Sequence, residues 1–224
     1  MSTKATRRPM VSDEEIFAAA QRAMTRHGPH ELTLAHIARE AGVTPGRLVQ
    51  RFGSKRAMLL ALAERFAGSA PPVFRSLRAS HPSALSALRA YAACMATLAA
   101  TPDTLARNLA YLQIDLTDPD FRVHLVRNAR ATRREIESLV RSAIAEGALR
   151  RVADARELAR TIEVVTTGSL MTWACYRSGP ADAWMRRNLD AVLAPYLIAP
   201  ARPEPSRPRV ARPRAARRPG VPRK

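Results

Sequence analysis

Aromatic residues are scarce, at 5% of 224 residues. With so few large rings and so much alanine, closely packed helices are favoured over sheets, and an all-α fold is expected. Cysteine is nearly absent. Cys94 and Cys175 are too few for a disulfide framework, and each lies in an apolar helical pattern where a free thiol packs as a small hydrophobe, so a reducing, cytoplasmic setting is expected. No apolar run approaches ~18 residues, and the opening MSTKATRRPM lacks a continuous hydrophobic segment, which argues against a secreted or membrane-spanning chain. Catalytic signatures are missing too. The chain has no GxGxxG, no Walker glycine loop, no GxSxG and no HExxH, so no enzyme is expected. His27 and His30 straddle a turn without carboxylate or cysteine company, so neither a metal nor a cofactor is expected. Acidic residues are the last shortage. Nineteen of them against 37 lysines and arginines leave a formal charge of +18, a surplus that calls for a polyanionic partner, double-stranded DNA first.

What is present is punctuation. Ser12 and Glu15 match a capping box ahead of the stripe Ile16, Ala19, Ala20, Ala23 and Met24, which Gly28-Pro29 ends. The stretch Thr33 to Phe52, TLAHIAREAGVTPGRLVQRF, contains two helix patterns joined by one tight turn. Thr33 caps the first, Ile37, Ala38 and Ala41 form its apolar face, and Gly42 supplies the left-handed residue that stops it. Val43 plugs the turn, Thr44 caps the second helix, Pro45 suits its first position, and Leu48 and Phe52 face inward. Arg47, Gln50 and Arg51 are left outward, and the forked side chains of Arg and Gln match guanine and adenine edges in a major groove. Gly53-Ser54 closes this helix and opens a fourth from Lys55.

The order Thr33, Ile37-Ala38, Ala41-Gly42-Val43, Gly46, Leu48 and Phe52-Gly53-Ser54-Lys55 resembles the DNA-binding domain of the TetR family of transcriptional regulators over residues 12–66. Turn, Gly46 and the FGSK junction are together far more restrictive than a lone A-G-V. The resemblance implies a homodimer. Each subunit then has an N-terminal three-helix bundle with a helix-turn-helix and a larger C-terminal helical domain that dimerises and encloses a small-molecule pocket, ligand releasing the DNA. Carried over by position, it assigns Pro45, Gly46, Arg47, Val49 and Gln50 to close approach and base readout, and Thr33, Thr44, Arg51 and Lys55 to phosphates. Two positions depart from the family. Val49 replaces its usual tyrosine and loses a phosphate-bonding hydroxyl while keeping a surface for a thymine methyl; Arg51 stands where histidine or tyrosine is common and restores a phosphate contact by charge.

Beyond residue 66 the helices lengthen. Gly68-Ser69-Ala70-Pro71-Pro72 reads as a break, placing a ligand-binding and dimerisation domain at 67–199. Helices are expected over Pro82 to Ala100, from Pro102, from Pro119 to Glu146, over Asp154 to Tyr176 and over Ala181 to Leu197. The arginines Arg127, Arg130, Arg133, Arg134 and Arg141 read as a solvated face, with an anionic ligand or partner as the alternative. Leu158, Ile162, Val165 and Ser169 on one of the last two helices, with Trp184, Leu189 and Leu193 on the other, suit either a four-helix interface between subunits, as the family implies, or a monomer core. Tyr91, Cys94, Met95, Tyr111, Met171, Trp173 and Cys175 are pocket-lining candidates for a small-molecule effector, with plain core as the alternative. Residues 1–11 form a basic arm. Residues 200–224 alternate arginine with proline, nine basic side chains against Glu204, and are expected to be a disordered tail, one that raises nonspecific DNA affinity or one that is simply solvated. The whole reads as a ligand-responsive homodimeric regulator, a repressor at an inverted repeat. The rival is a basic, sequence-indifferent architectural DNA-binding protein.

Overall fold

Ser12 opens the first helix with a complete capping box: Glu15 N–H donates to Ser12 Oγ at 3.3 Å while Ser12 N–H donates to the Glu15 carboxylate at 2.7 Å. The structure is a computed structural model that describes residues 11–151 and 154–198. From that cap runs α1 (Asp13–Arg26), followed by α2 (Leu34–Ala41), α3 (Pro45–Phe52) and α4 (Lys55–Ala67). Each of the last three is capped by the residue before it. Thr33 accepts from His36 N–H at 3.2 Å, Thr44 from Arg47 N–H at 3.3 Å and Ser54 from Ala57 N–H at 3.1 Å. Gly42 ends α2 at φ 67°, ψ 28°, a left-handed conformation that costs any side chain with a Cβ.

The chain continues through α5 (Ala70–Ser80), α6 (Ala84–Ala96), α7 (Pro102–Thr117), α8 (Pro119–Ala145), α9 (Ala155–Tyr176) and α10 (Ala181–Leu193). Helix α5 corrects the reading of its prolines as a break. Pro71 and Pro72 lie in its first turn, where a missing N–H removes no helical bond, so they open a helix that buries Phe74. The ends of α6 and α10 tighten into single 3-10 turns, Thr97–Ala99 and Ala194–Tyr196, shortening both helices relative to expectation. Among the described residues the only β pairing is the isolated bridge between Leu149 and Leu197, which ties the chain after α10 to the end of α8.

Two apolar cores result. The first joins α1 to α4 through Ile16, Ala20, Leu32, Ile37, Leu48 and Met58, and Tyr111 of α7 enters it from outside. The second gathers α5 to α10 around Leu88, Ile136, Leu139, Ile162 and Leu189. This packing bears on the two readings of α9 and α10, a subunit interface or a monomer core. Leu158, Ile162, Ser169, Leu189 and Leu193 are buried inside the chain's own core, and Val165 and Trp184 are half-buried. The physical reason is simple. An apolar stripe goes to the first complementary surface the chain offers, and here that surface is α6 and α8. The opposite face of α9 is the one left outward. It carries Val164, 64% exposed, then Gly168, Met171 and Cys175 at helical spacing.

Candidate nucleic-acid interface

Leu48 anchors α3 in the first core, and the residues on either side of it point away. Leu48 is fully buried, whereas Pro45, Gly46, Arg47, Val49 and Gln50 are all exposed. Neither the Arg47 nor the Gln50 side chain has a partner among the described residues, so both present their full donor and acceptor sets outward. A Cβ added at Gly46 meets nothing within 4 Å. The chain itself therefore has no steric need for glycine there, which leaves approach by something external as the physical use of its small size.

Helix α1 is stapled to each of the other three. Glu40 of α2 binds Arg22 and Arg26, Asp13 pairs with Arg51 of α3 at 2.6 Å, and Glu14 pairs with Arg65 of α4, whose guanidinium also lies over the Phe17 ring. Such exposed pairs contribute little singly, about 0–1 kcal/mol. The pair between Asp13 and Arg51 ties α3 directly to α1.

The four side chains assigned to phosphates are in three different situations. The hydroxyl oxygens of Thr33 and Thr44 accept backbone N–H groups, which leaves each hydroxyl hydrogen free to donate outward. Arg51 is exposed but engaged, by Asp13 and by a 3.0 Å hydrogen bond to the Val11 carbonyl. Lys55 is half-buried, and its ammonium donates to the carbonyls of Leu32 at 2.8 Å and Pro29 at 3.1 Å. It thus closes the loop between α1 and α2. Residues 1–10 of the basic arm lie outside the described residues.

Four further contacts, which no local pattern signals, bind this unit to α7 and α8. Arg56, in the first turn of α4, donates to Asp118 and Asp120 at the start of α8, both at 2.8 Å; the hydrogen bond from Arg56 holds the Asp118 carboxyl below its usual value. On α7, Arg107 donates to the Thr25 carbonyl at 2.7 Å and Tyr111 to the His27 carbonyl at 2.9 Å. Both acceptors sit at the end of α1, where His27 also stacks on His36 at 4.1 Å.

The pocket candidates divide among three settings. Tyr91 and Trp173 are buried and Met95 half-buried in the second core, whereas Tyr111 belongs to the first. Cys94, Met171 and Cys175 are exposed. Trp173 donates its indole N–H to the Gly179 carbonyl at 2.9 Å. Burial pushes both Tyr91 and Tyr111 up to about 12 and also raises Asp115 on α7. Two open depressions, of about 480 and 550 Å³, lie along α8.

Comparison with known proteins places both units. A family model described as bacterial regulatory proteins, tetR family, matches residues 16–62, and one described as tetracyclin repressor-like, C-terminal domain, matches residues 110–189. A TetR transcription regulator from Haloarcula marismortui is 21% identical over 83% of this chain and 98% of its own, with a TM-score of 0.63. FadR from Bacillus subtilis, solved with stearoyl-CoA, is 18% identical over 82% and 98%, also with a TM-score of 0.63. SmeT, the repressor of the Stenotrophomonas maltophilia multidrug efflux pump SmeDEF, is 25% identical over 87% and 96%, with a TM-score of 0.59. No curated protein matches the chain by sequence.

Proposed function

The chain belongs to the TetR family of bacterial regulatory proteins, and on that premise we propose that it is a ligand-responsive homodimeric repressor, released from an inverted-repeat operator by a small molecule. The family consists of non-enzymatic DNA-binding transcription regulators, and no helix among the described residues is long and apolar enough to cross a membrane. The observation that carries the reading is the outward face of α3, where Arg47 and Gln50 stand free above the buried Leu48. In a major groove, Arg47 reads guanine, Gln50 adenine and Val49 a thymine methyl, while Pro45 and Gly46 allow the backbone close. Thr33 and Thr44 donate to phosphates. Lys55 joins them with the third of its three N–H donors, and Arg51 with the donors that Asp13 and Val11 leave unused.

On this reading residues 12–66 are the DNA-binding unit and 67–199 the ligand-binding and dimerisation unit. The arm 1–11 and the tail 200–224, most of which lies outside the described residues, add backbone affinity. The outward face of α9, with Val164, Gly168, Met171 and Cys175, and the half-buried Val165 and Trp184 supply the surface for a second copy. Two reading helices then meet half-sites about one DNA turn, or a multiple of it, apart. The effector is a small apolar or aromatic compound held near Tyr91, Met95 and Trp173. Selecting bound sites from a random DNA pool, then screening compounds for release, tests the whole. An inverted repeat with internal A·T and G·C preferences is expected; selection that enriches nothing overturns it.

The formal charge of +18 and the nine-to-one basic tail favour a second reading, a sequence-indifferent architectural DNA-binding protein. Competition by random DNA separates the two. A specificity ratio near one supports the architectural reading, and a ratio of 10³ or more, roughly the range of specific regulators, supports the repressor.

A further inference from the structure

Eleven arginines among the described residues are paired with acids, and four of those left unpaired stand in one row on α8. On α8, Arg133 pairs with Glu163 and Arg141 with Glu137, whereas Arg122, Arg127, Arg130 and Arg134 are exposed and have no ion-pair or hydrogen-bond partner among the described residues. The four line one open depression with Pro119, Val123 and Val126. The unmatched charge is confined to one end of the helix, since past Arg134 the next basic side chain on this face, Arg141, is already neutralised by Glu137 at 2.6 Å. That end is the one tied to the reading unit. Arg56 stands directly after Lys55 at the start of α4 and holds Asp118 and Asp120 at the start of α8. The acids nearest the row are therefore already occupied.

Every residue lining this depression comes from a single helix. A small ligand would be touched from one side only and left in water on the other, which is a poor pocket. A long polyanion has no such difficulty, because it follows a row rather than filling a cavity. From Arg122 to Arg134 the helix advances about 18 Å at ~1.5 Å per residue, the axial length of roughly five phosphates on one DNA strand at ~3.4 Å each. Guanidinium groups bind phosphate in bidentate fashion and keep their charge at any physiological pH. We propose that the Arg122 to Arg134 row of α8 is a second DNA-binding surface, which holds the phosphodiester backbone of duplex outside the segment read by α3 and takes no part in base choice. The inference rests on the reading of this chain as a DNA-binding protein, and it adds a surface that the helix-turn-helix does not supply.

The test uses the full chain with Arg122, Arg127, Arg130 and Arg134 all changed to Gln, and a second variant with all four changed to Lys. Binding is measured across a salt series on a selected site with long flanks, on the same site trimmed to its ends, and on long random-sequence duplex. On both long duplexes the Gln variant is expected to lower the slope of log K against log salt by up to about 3–4, at ~0.9 for each phosphate no longer neutralised. On the trimmed site it should match the parent, and the Lys variant should keep the parent slope throughout. An unchanged slope on both long duplexes overturns the inference. So does an abolished compound-induced release with no change in DNA binding, which assigns the row to the effector instead. A variant carrying Arg47→Ala and Gln50→Ala separates this from the reading of α3: it should lose site preference and retain, on random duplex, the part of the slope that depends on the row. If the parent itself shows no site preference, the repressor reading fails while the random-duplex comparison still decides the row.

Discussion

Tyr111 of α7 donates its phenolic hydrogen to the carbonyl oxygen of His27 at 2.9 Å, and its ring completes the core of the first four helices. A residue that lies 84 positions along the chain from its acceptor thus belongs physically to the unit that holds the reading helix. This bond and the one from Arg107 to the Thr25 carbonyl tie α7 to the end of α1. Tyr111→Phe keeps the ring and removes the bond. We expect a loss of roughly 0.5–1.5 kcal/mol in unfolding free energy and a weaker effect of any releasing compound on operator affinity. A full response in the variant rules out a role for this bond in release.

Arg47 and Lys55 should separate cleanly. The Arg47 side chain makes no hydrogen bond or ion pair among the described residues, so Arg47→Ala is expected to leave the melting temperature unchanged while costing about 1–3 kcal/mol at one base position. Lys55→Ala removes the donor from two carbonyls, at Leu32 and Pro29, and is expected to lower the melting temperature as well as weaken binding to all sequences alike. Calorimetry beside a binding assay on operator and random duplex checks both. An unaltered melting temperature for Lys55→Ala would return that side chain to phosphate binding alone.

Gly46 offers a change of opposite sign in two measurements. The site has open space for a Cβ and lies in the first turn of α3, so Gly46→Ala should stabilise the fold by up to ~1 kcal/mol through helix propensity. The same methyl blocks close approach to the groove. Tighter folding with weaker operator binding is expected, and tighter folding with equal binding excludes close approach at this position.

The buried phenols set an alkaline limit. Burial pushes Tyr91 up to about 12, against the opposing hydrogen bond of Thr166, while an unfolded phenol ionises near ~10. Because the folded value is the higher one, the unfolded chain loses its proton first. Stability is therefore whole below about pH 10 and falls as pH rises towards 12, by roughly 2–3 kcal/mol for a shift of this size. Denaturant midpoints from pH 8 to 12 read this directly, and Tyr91→Phe should flatten the fall.

The outward face of α9 can be tested against the inward one. Val164→Glu with Met171→Glu alters two exposed positions and should leave helix content intact while producing monomers in sedimentation at micromolar concentration. Ile162→Ala, which empties a fully buried position, should instead cost about 2–5 kcal/mol of stability. Dimers that persist in the double glutamate variant place the interface elsewhere.

Short-range features could be read directly from the amino-acid sequence. The caps at Ser12, Thr33, Thr44 and Ser54 and the corner at Gly42 depend on interactions within about four residues, where spacing and residue type decide the geometry, and helical periodicity alone sets Leu48 on the face opposite Arg47 and Gln50. Pro71 and Pro72 show the limit even there, since the same residues that interrupt a helix also begin one, and only the packing of Phe74 against Tyr91, ring centres 4.8 Å apart, selects the second outcome. Tertiary structure alone decided which partners the remaining groups found. It turned Lys55 toward Leu32, paired Arg51 with Asp13, brought Tyr111 to the end of α1 and sent Leu158, Ile162, Leu189 and Leu193 into the chain's own core. The reason is that periodicity states how many faces of a helix are apolar and in which direction they lie. What each face meets depends on where distant helices arrive, and nothing in a helix's own residues encodes that.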